Sequence, residues 1–168
     1  MPHQLDTDTH VYFYEHEFYV LSNFSAFRLQ WREVDFDTSE HAYQFEKFYV
    51  PHPYWALVDI QRAIVQARSA HEARKIAERH ARFQRPEWDT QRLAVMRDIL
   101  RAKIDQHAYV HRKLLETGER VLVQDSWRDA YWGIGDDGTG ANMLGKLWME
   151  IRAELCKEGP LDDPVYLV

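Results

Sequence analysis

Cysteine, long apolar runs and an excess of basic residues are scarce or missing in this sequence, and each absence excludes a class of protein. Cys156 is the single cysteine among 168 residues, so no disulfide can form within the chain, and with no partner motif it is interpreted as structural. No apolar run approaches a membrane span, and the N-terminus lacks the basic and apolar regions of a signal peptide. These absences predict a cytoplasmic protein with no membrane partner.

The charge balance also limits the partners. A formal net charge of −6 argues against general nucleic-acid binding, which needs a broad basic surface, but permits a small phosphorylated ligand held by a local pair of basic groups. An apolar share of 45% and an aromatic share of 14% indicate a globular protein with rings to line a cleft. The length predicts one domain over 1–168, with a core at about 11–157 and extended tails at 1–9 and 159–168.

Motifs for metals, cofactors and nucleophiles are missing too. His107 and His111 stand four residues apart, but no H-E-x-x-H pattern or third ligand accompanies them, so no metal is expected. The run 133–138 matches G-x-G-x-x-G, yet too few residues remain for a βαβ unit, and Asp136 and Asp137 would repel a pyrophosphate. There is no G-x-S-x-G elbow. We therefore expect no cofactor.

The segment 38–48 is the stretch around which the chain is organised, and it reads as a helix. Asp37 is expected as its N-cap, with Glu40 three residues on as the partner in a capping box. One interpretation gives Glu40 this capping role alone, with the neighbouring aromatic rings in the core. Spacing by itself favours that interpretation, because capping boxes are common.

The second interpretation makes this helix the wall of a pocket. At 100° per residue Glu40, Gln44 and Lys47 share one face. Tyr43 and Phe48 flank that face, whereas the flanks of a solvated polar stripe would usually be polar. A carboxylate, an amide and an ammonium group bordered by rings are typical of a ligand cleft.

Periodicity elsewhere predicts an α+β fold, mainly helical with a small antiparallel sheet. Ser69 and Glu72 form a second capping box, and Pro86 is expected in the first turn of the helix that follows. In that helix Leu93, Met96, Leu100 and Ile104 are expected in the core. Strands are expected at 11–14, 27–31, 34–36 and 121–123, and helices at about 54–66, 69–80, 86–104 and 109–116, with a last helix that Asn142 would cap.

The chain resembles the NADAR/YbiA-like family in three separated motifs, which stand in the same order as in that family and cover roughly residues 12–155. They are Leu21-Ser-Asn-Phe24 with Ser39-Glu-His41, Gln44 and Lys47; Trp88 with Val95-Met96 and Lys103; and Asp129-Ala-Tyr-Trp-Gly133 with Gly140-Ala-Asn142-Met-Leu-Gly145. The resemblance implies N-glycoside hydrolysis. The implied substrates are riboflavin-pathway ribosylamino-pyrimidine phosphates, ADP-ribose conjugates and related nucleotides.

The reaction indicates the roles of the site residues. Cleavage of a C1′–N bond passes through a ribosyl oxocarbenium ion, which a carboxylate beneath the ring stabilises. Glu40 is our first choice for that carboxylate and Asp129 the second, and Trp88 would stack on the base or sugar, although a buried structural Trp88 is the alternative. The expected substrate-binding residues are Asn23, Gln44, Lys47, Tyr131, Trp132, Gly133 and Asn142.

Two features leave the substrate open. Many members of the family that the chain resembles carry glutamate where this chain has Gln124. The neutral amide affects the identification of the substrate more than that of the reaction. A non-catalytic module that binds ADP-ribose or a nucleotide is the alternative from another class. A third possibility is an ADP-ribosyl hydrolase that acts on modified nucleic acid or guanidine. The proposed discriminator is whether Glu40, Asp129 and Trp88 face one cavity.

Overall fold

The computed structural model describes residues 4–158, and the predicted tail at 159–168 lies outside them. Within that range the chain has six α-helices and four short strands, which confirms an α+β fold that is mainly helical. The strands are β1 (His10–Tyr12), β2 (Leu29–Trp31), β3 (Val34–Phe36) and β4 (Val121–Val123). The helices are α1 (Ser39–Glu46), α2 (Trp55–Val65), α3 (Ala70–Arg79), α4 (Trp88–Gln106), α5 (Ala108–Glu116) and α6 (Met143–Glu158).

The chain divides into two compact units. The first unit contains the chain as far as Tyr12 and the chain from Leu114 onward. In it β1 pairs with β4 in parallel, with Val11 opposite Leu122, and α6 packs against β4. This parallel pair adds to the antiparallel sheet that periodicity predicts. Residues 4–9, expected as part of an extended tail, are held by hydrogen bonds: the Gln4 backbone N–H, for example, donates to Asp125 Oδ2 at 2.6 Å.

The second unit, Phe13–Lys113, contains the predicted antiparallel sheet, which is a hairpin. β2 and β3 pair antiparallel, with Trp31 opposite Val34. The two turn residues, Arg32 and Glu33, both have positive φ (49° and 61°), as a tight hairpin turn requires. Residues other than glycine rarely adopt a positive φ. The Arg32 side chain packs here, with its guanidinium 4.1 Å from the Tyr49 ring centroid. The hairpin therefore forms without the asparagine–glycine pair that usually marks one.

Helix α1 lies at the centre of this second unit. All eight of its residues are buried, and it packs against α2, α3, α4 and β3. Phe45 of α1 meets Phe36 of β3 edge to face, with ring centroids 5.2 Å apart. A helix that is buried on every side belongs to the interior. Its polar residues are therefore interior groups that need specific partners.

The predicted start of α1 is wrong by one residue. Thr38 is the N-cap: its backbone is extended, and its Oγ1 accepts from the His41 N–H at 3.3 Å. Asp37 instead forms an exposed ion pair with Arg28 at 3.1 Å. The capping box of Asp37 and Glu40 is therefore also wrong, because the threonine one residue later already satisfies the first turn.

Several other local predictions need adjustment. At α3 the Ser69 Oγ accepts from the Glu72 backbone N–H at 3.1 Å, as the capping box predicts. The Glu72 carboxylate, however, accepts from the backbone N–H of Arg68 at 2.6 Å and not from that of Ser69. Pro86 lies before α4 and not in its first turn, since Glu87 is the N-cap. Leu93, which is expected in the core, is only half-buried. Val121 and Cys156 are exposed.

Candidate active site

Glu40 and Gln44 form a buried pair on α1. The Gln44 Nε2 donates to the Glu40 Oε1 at 2.6 Å, and the two residues are 3% and 7% exposed. They lie one helical turn apart, so the helix itself sets the geometry of the bond. The interpretation of Glu40 as only a cap is wrong, because Thr38 caps the helix and the Glu40 carboxylate bonds within the interior.

The segment that contains Asn23 lies against the start of α1. The Asn23 carbonyl accepts from the Glu40 backbone N–H at 3.1 Å. This bond satisfies one of the first-turn N–H groups, which have no acceptor within the helix. The Asn23 side chain is buried, and its Nδ2 donates to the Met96 Sδ at 3.2 Å. The Asn23 carbonyl therefore contacts the Glu40 backbone, and the Asn23 side chain is held by Met96.

Three buried acceptors in the Asn23 segment and in α1 have no hydrogen-bond partner within the described part of the chain. They are Asn23 Oδ1, Ser39 Oγ and Gln44 Oε1. Buried polar atoms in folded proteins are almost always paired, so each exception calls for an explanation. Acceptors of this kind suit the hydroxyl groups of a sugar or the amino groups of a base.

Aromatic rings and two cations extend the site along α1. The Tyr43 and Trp88 rings lie 5.0 Å apart, and Trp88 is only 5% exposed, so it has a packing role whatever else it does. Lys47 Nζ lies 5.3 Å from the Tyr43 ring centroid, and the Arg85 guanidinium lies 5.2 Å from that of Trp88. The backbone N–H of Arg85 also donates to the Lys47 carbonyl at 2.9 Å, so the two basic residues are neighbours.

Sequence reasoning missed Arg85 and its partner Glu46. The Glu46 side chain is fully buried and accepts from the Trp31 Nε1 at 2.5 Å and from the Arg32 Nε. Arg85 Nη1 approaches its other oxygen at 3.7 Å. Glu46 thus ties the hairpin and the Arg85 segment to α1, which is a structural task. No local signal distinguishes it from a surface glutamate, although Arg85 comes just before the predicted Trp88.

The remaining candidates lie in the first unit. Asp129 Oδ1 accepts from the Tyr131 N–H at 3.0 Å and from the Trp132 N–H at 2.8 Å, which closes a tight turn. The rings of Tyr131 and Trp132 meet edge to face at 5.0 Å. Asp129 therefore shapes the loop that presents these two rings. Its use as the second carboxylate, and the substrate contacts of both rings, stay predictions.

Gly133 and Asn142 have evident structural tasks in the same unit. A side chain at Gly133 would meet the carbonyls of Gln124 and Asp129 at 2.8 and 2.9 Å, so only glycine fits. The Asn142 side chain accepts from the Gln124 N–H and donates to the Leu122 carbonyl, both at 2.9 Å, so it links the end of β4 to the start of α6. Asn142 does stand at the cap position directly before α6, where its carbonyl accepts from the Lys146 backbone N–H at 3.1 Å, while its side chain makes this link. Substrate binding by either residue stays a prediction.

Gln124 is itself notable. It is 5% exposed, and its Oε1 has no hydrogen-bond partner within residues 4–158.

Within residues 4–158 no group of three or more His, Cys, Asp or Glu side chains is arranged to hold a metal ion. No helix in the described part of the chain is long and apolar enough to cross a membrane.

Known proteins resemble this chain over most of its length. The chain is 34% identical to N-glycosidase YbiA of Escherichia coli over 91% of both chains. Its fold matches the NMR structure of the E. coli protein YbiA with a TM-score of 0.77, over 93% of this chain and 90% of that one. It is also 35% identical to the riboflavin biosynthesis protein VVA0006 of Vibrio vulnificus, over 89% of this chain but only 40% of that protein.

These likenesses extend over nearly the whole chain, and they make it a hydrolase of N-glycosyl bonds. Residues 12–156 match the model of the NADAR domain family. This range includes α1, the Asn23 segment and the Asp129 loop. The chain therefore belongs to the NADAR domain family.

Proposed function

We propose that this enzyme hydrolyses the C1′–N bond of a small phosphorylated ribosyl compound, a ribosylamino-pyrimidine phosphate of the riboflavin pathway. The observation that carries the proposal is the Glu40 carboxylate, buried on α1 and oriented by the Gln44 amide at 2.6 Å. Positive charge that develops on the ribose is stabilised best by a negative group that is already in place. A carboxylate on the innermost helix of its unit meets that condition.

The same carboxylate, or Asp129 as a second one, takes a proton from the attacking water. A positioned acid or base contributes roughly 10²–10⁴ in rate. Water adds to C1′ as the C–N bond breaks, and the leaving nitrogen takes the bonding electron pair and receives the proton that the carboxylate removed from the water. The products are the free base and the ribose phosphate.

The neighbouring groups supply binding. The acceptors Asn23 Oδ1, Ser39 Oγ and Gln44 Oε1 are buried without donors, which supports a role in binding ribose hydroxyls or an exocyclic amino group. Lys47 and Arg85 are adjacent cations that would hold the phosphate. Lys47 follows Glu40 by seven residues, or roughly 10 Å along a helix axis, about the span from C1′ to the 5′-phosphate once the lysine stem is included.

The names of the relatives support the pathway. VVA0006 and the maize protein PYRR, which is 33% identical over 82% of this chain and 23% of its own length, are both named for riboflavin biosynthesis. A charged phosphate ester does not cross membranes unaided, so the enzyme is expected where its substrate is made, in the cytoplasm. ADP-ribose conjugates share the phosphorylated ribosyl group and are the second substrate class.

A substrate panel tests the proposal. Purified enzyme is incubated with ribosylamino-pyrimidine phosphates, ADP-ribosyl guanosine and NAD, and the released base and sugar phosphate are measured. Release from the pyrimidine compounds, abolished in Glu40→Gln and retained in the exposed control Glu33→Gln, is the expected result. Release from ADP-ribosyl guanosine alone would move the substrate to the second class. Tight binding of ADP-ribose with no release from any compound would favour the non-catalytic binding module.

A further inference from the structure

Lys103 is a fully buried lysine to which the proposed chemistry gives no task. It lies on α4 and is 0% exposed. Its Nζ donates to the Val20 carbonyl at 2.6 Å, the Ser22 carbonyl at 3.0 Å and the Ser25 Oγ at 2.8 Å. Lysine is almost never buried without partners, and here the three acceptors match the three N–H bonds of an ammonium group.

All three acceptors belong to one short segment, 20–25, which contains Asn23. The same helix holds this segment at a second point, because Met96, two turns before Lys103, accepts the Asn23 Nδ2 bond at 3.2 Å. Ser25 completes the arrangement, since its hydroxyl donates to the Ser22 carbonyl at 2.7 Å. Helix α4 therefore holds both ends of the segment through Lys103 and its interior through Met96.

The segment in turn contacts the start of α1. The Asn23 carbonyl accepts the Glu40 N–H, and the Asn23 Oδ1 is one of the buried acceptors without a partner. A shift of the segment would move a proposed ligand-binding atom and remove a backbone bond beside the proposed catalytic carboxylate. Misplacement by about 1 Å, even from a change remote from the chemistry, can cost roughly a hundredfold in rate.

We infer that Lys103 is a positioning residue, which anchors the 20–25 segment to α4 and thereby sets the positions of Asn23 and Glu40. The inference rests on the proposed function only in assigning the chemistry to Glu40. Ser25 lets the anchor persist in either protonation state of the lysine. When Nζ is charged, its three N–H bonds donate to the three oxygens. When it is neutral, two N–H bonds donate to the carbonyls, and the Ser25 hydroxyl donates to Nζ in place of the Ser22 carbonyl.

Two variants and one control test the anchor directly. Lys103→Met removes all three bonds, and Ser25→Ala is a milder change that removes one acceptor. Lys75→Met replaces an exposed lysine of α3 and is the matched control. Hydrogen exchange of the peptide that spans 20–25 is expected to accelerate at least tenfold in Lys103→Met and less in Ser25→Ala, and to stay unchanged in the control. Unchanged exchange in both variants would overturn the anchor.

A double-mutant cycle distinguishes positioning from mere stabilisation. Lys103→Met is expected to lower kcat about ten- to a hundredfold at a temperature where the variant is fully folded. Because Lys103 acts through Asn23, adding Asn23→Ala to Lys103→Met should cost little more, whereas independent effects would multiply. Multiplied effects, or wild-type kcat in a variant with accelerated exchange, would refute the positioning role. If Lys103→Met does not fold, Ser25→Ala takes its place in the cycle.

The failure of each proposal has its own signature. If the wild-type enzyme cleaves no N-glycoside in the panel, the proposed function fails, and the hydrogen exchange of segment 20–25 still decides whether Lys103 anchors it. If the wild type is active and the exchange result is negative, the proposed function stands and the inference about Lys103 is wrong.

Discussion

Gln44 donates a hydrogen bond from Nε2 to Oε1 of Glu40 at 2.6 Å, across one turn of the buried helix α1. An ionised carboxylate only accepts, so the bond determines which end of the amide faces it. The Gln44 Oε1 consequently points elsewhere and has no donor partner among the described residues. One hydrogen bond therefore orients the proposed catalytic group and leaves an acceptor for a ligand beside it.

Glu40→Gln is expected to fold normally and lose at least about a hundredfold in kcat, the lower bound for a lost acid or base. The fold should survive because Thr38, not Glu40, caps α1. Steady-state rates and a thermal melt check the two parts, with Glu33→Gln as the control. A variant that keeps more than about a tenth of the wild-type rate, well above that bound, would remove Glu40 from the chemistry.

Lys47→Ala is expected to raise KM for phosphorylated substrates several-fold and leave kcat and a dephosphorylated analogue nearly unchanged. A lysine binds phosphate as a point charge, and such binding is felt equally in the ground and transition states. Paired kinetics on the two substrates measure the difference. Equal losses on both would exclude the phosphate role, and a fall in kcat alone would assign Lys47 to chemistry.

Arg85→Lys is expected to raise KM for phosphorylated substrates as well, because a guanidinium group gives planar, two-point recognition that an ammonium group lacks. Retaining the positive charge preserves the attraction to the buried Glu46 carboxylate, which Arg85→Ala would weaken. The exposed Arg79, replaced by lysine, is the matched control. An unchanged KM in Arg85→Lys together with a raised KM in Lys47→Ala would leave Lys47 as the phosphate ligand by itself.

Trp88→Ala is expected to lower the free energy of unfolding by about 3–5 kcal/mol, the usual cost of removing a large buried ring. Trp88 is 5% exposed and packs 5.0 Å from the Tyr43 ring, so its loss leaves a cavity. Trp88→Phe separates packing from stacking, because a smaller ring still fills part of the space. A raised KM with a nearly wild-type melting temperature would support stacking on the ligand, whereas a lowered melting temperature with unchanged KM would make Trp88 purely structural. Trp55→Phe, at an exposed ring, is the control.

The stability contributed by Lys103 is expected to rise with pH. Burial lowers the pKa of Lys103 from its ordinary 10.5 to about 7, and the groups in contact with its Nζ are neutral oxygens and the Phe27 ring. Between these two pKa values the unfolded chain binds a proton that the folded chain does not, so folding becomes more favourable as pH increases. Below about pH 7 both states are protonated, and the full cost of the buried charge is present.

Denaturant unfolding of the wild type and Lys103→Met at pH 6 and pH 9 measures this effect. The stability of the wild type relative to the variant should be greater at pH 9, by up to ~1.4 kcal/mol for each pH unit within the window. A difference that is independent of pH would show that Lys103 keeps an ordinary pKa in the folded protein.

Local sequence patterns predicted the elements well because the forces that create them are local. The strands on either side of Arg32 and Glu33, the Ser69 cap and the end of α5 at Glu116 depend on neighbouring residues, and the structure has all three where they were predicted. The Thr38 cap was missed by one residue because Asp37 and Thr38 are both good caps. Their tertiary surroundings decide between them, since Asp37 is exposed and paired with Arg28.

The partners of buried charges were beyond local reasoning. Glu46 and Lys103 look like ordinary surface residues in the sequence, yet both side chains are fully buried. Glu46 finds Arg32 and Arg85, and Lys103 finds a segment about 80 residues earlier in the chain. The parallel pairing of β1 with β4 is likewise between segments more than a hundred residues apart. Such partners meet only when the chain is folded, and no periodicity records them.

The sequence by itself determined the α+β class, the central helix and the polar face on which Glu40 and Gln44 lie one turn apart, because helical spacing is a property of the backbone. The tertiary structure decided what those polar residues do. Burial of α1 on every side turned the Glu40–Gln44 contact into an interior hydrogen bond, and it assigned Glu46, six residues further on, to two arginines. The physical reason is desolvation: away from water a charged or polar group is stable only with a partner, and only the folded chain supplies one.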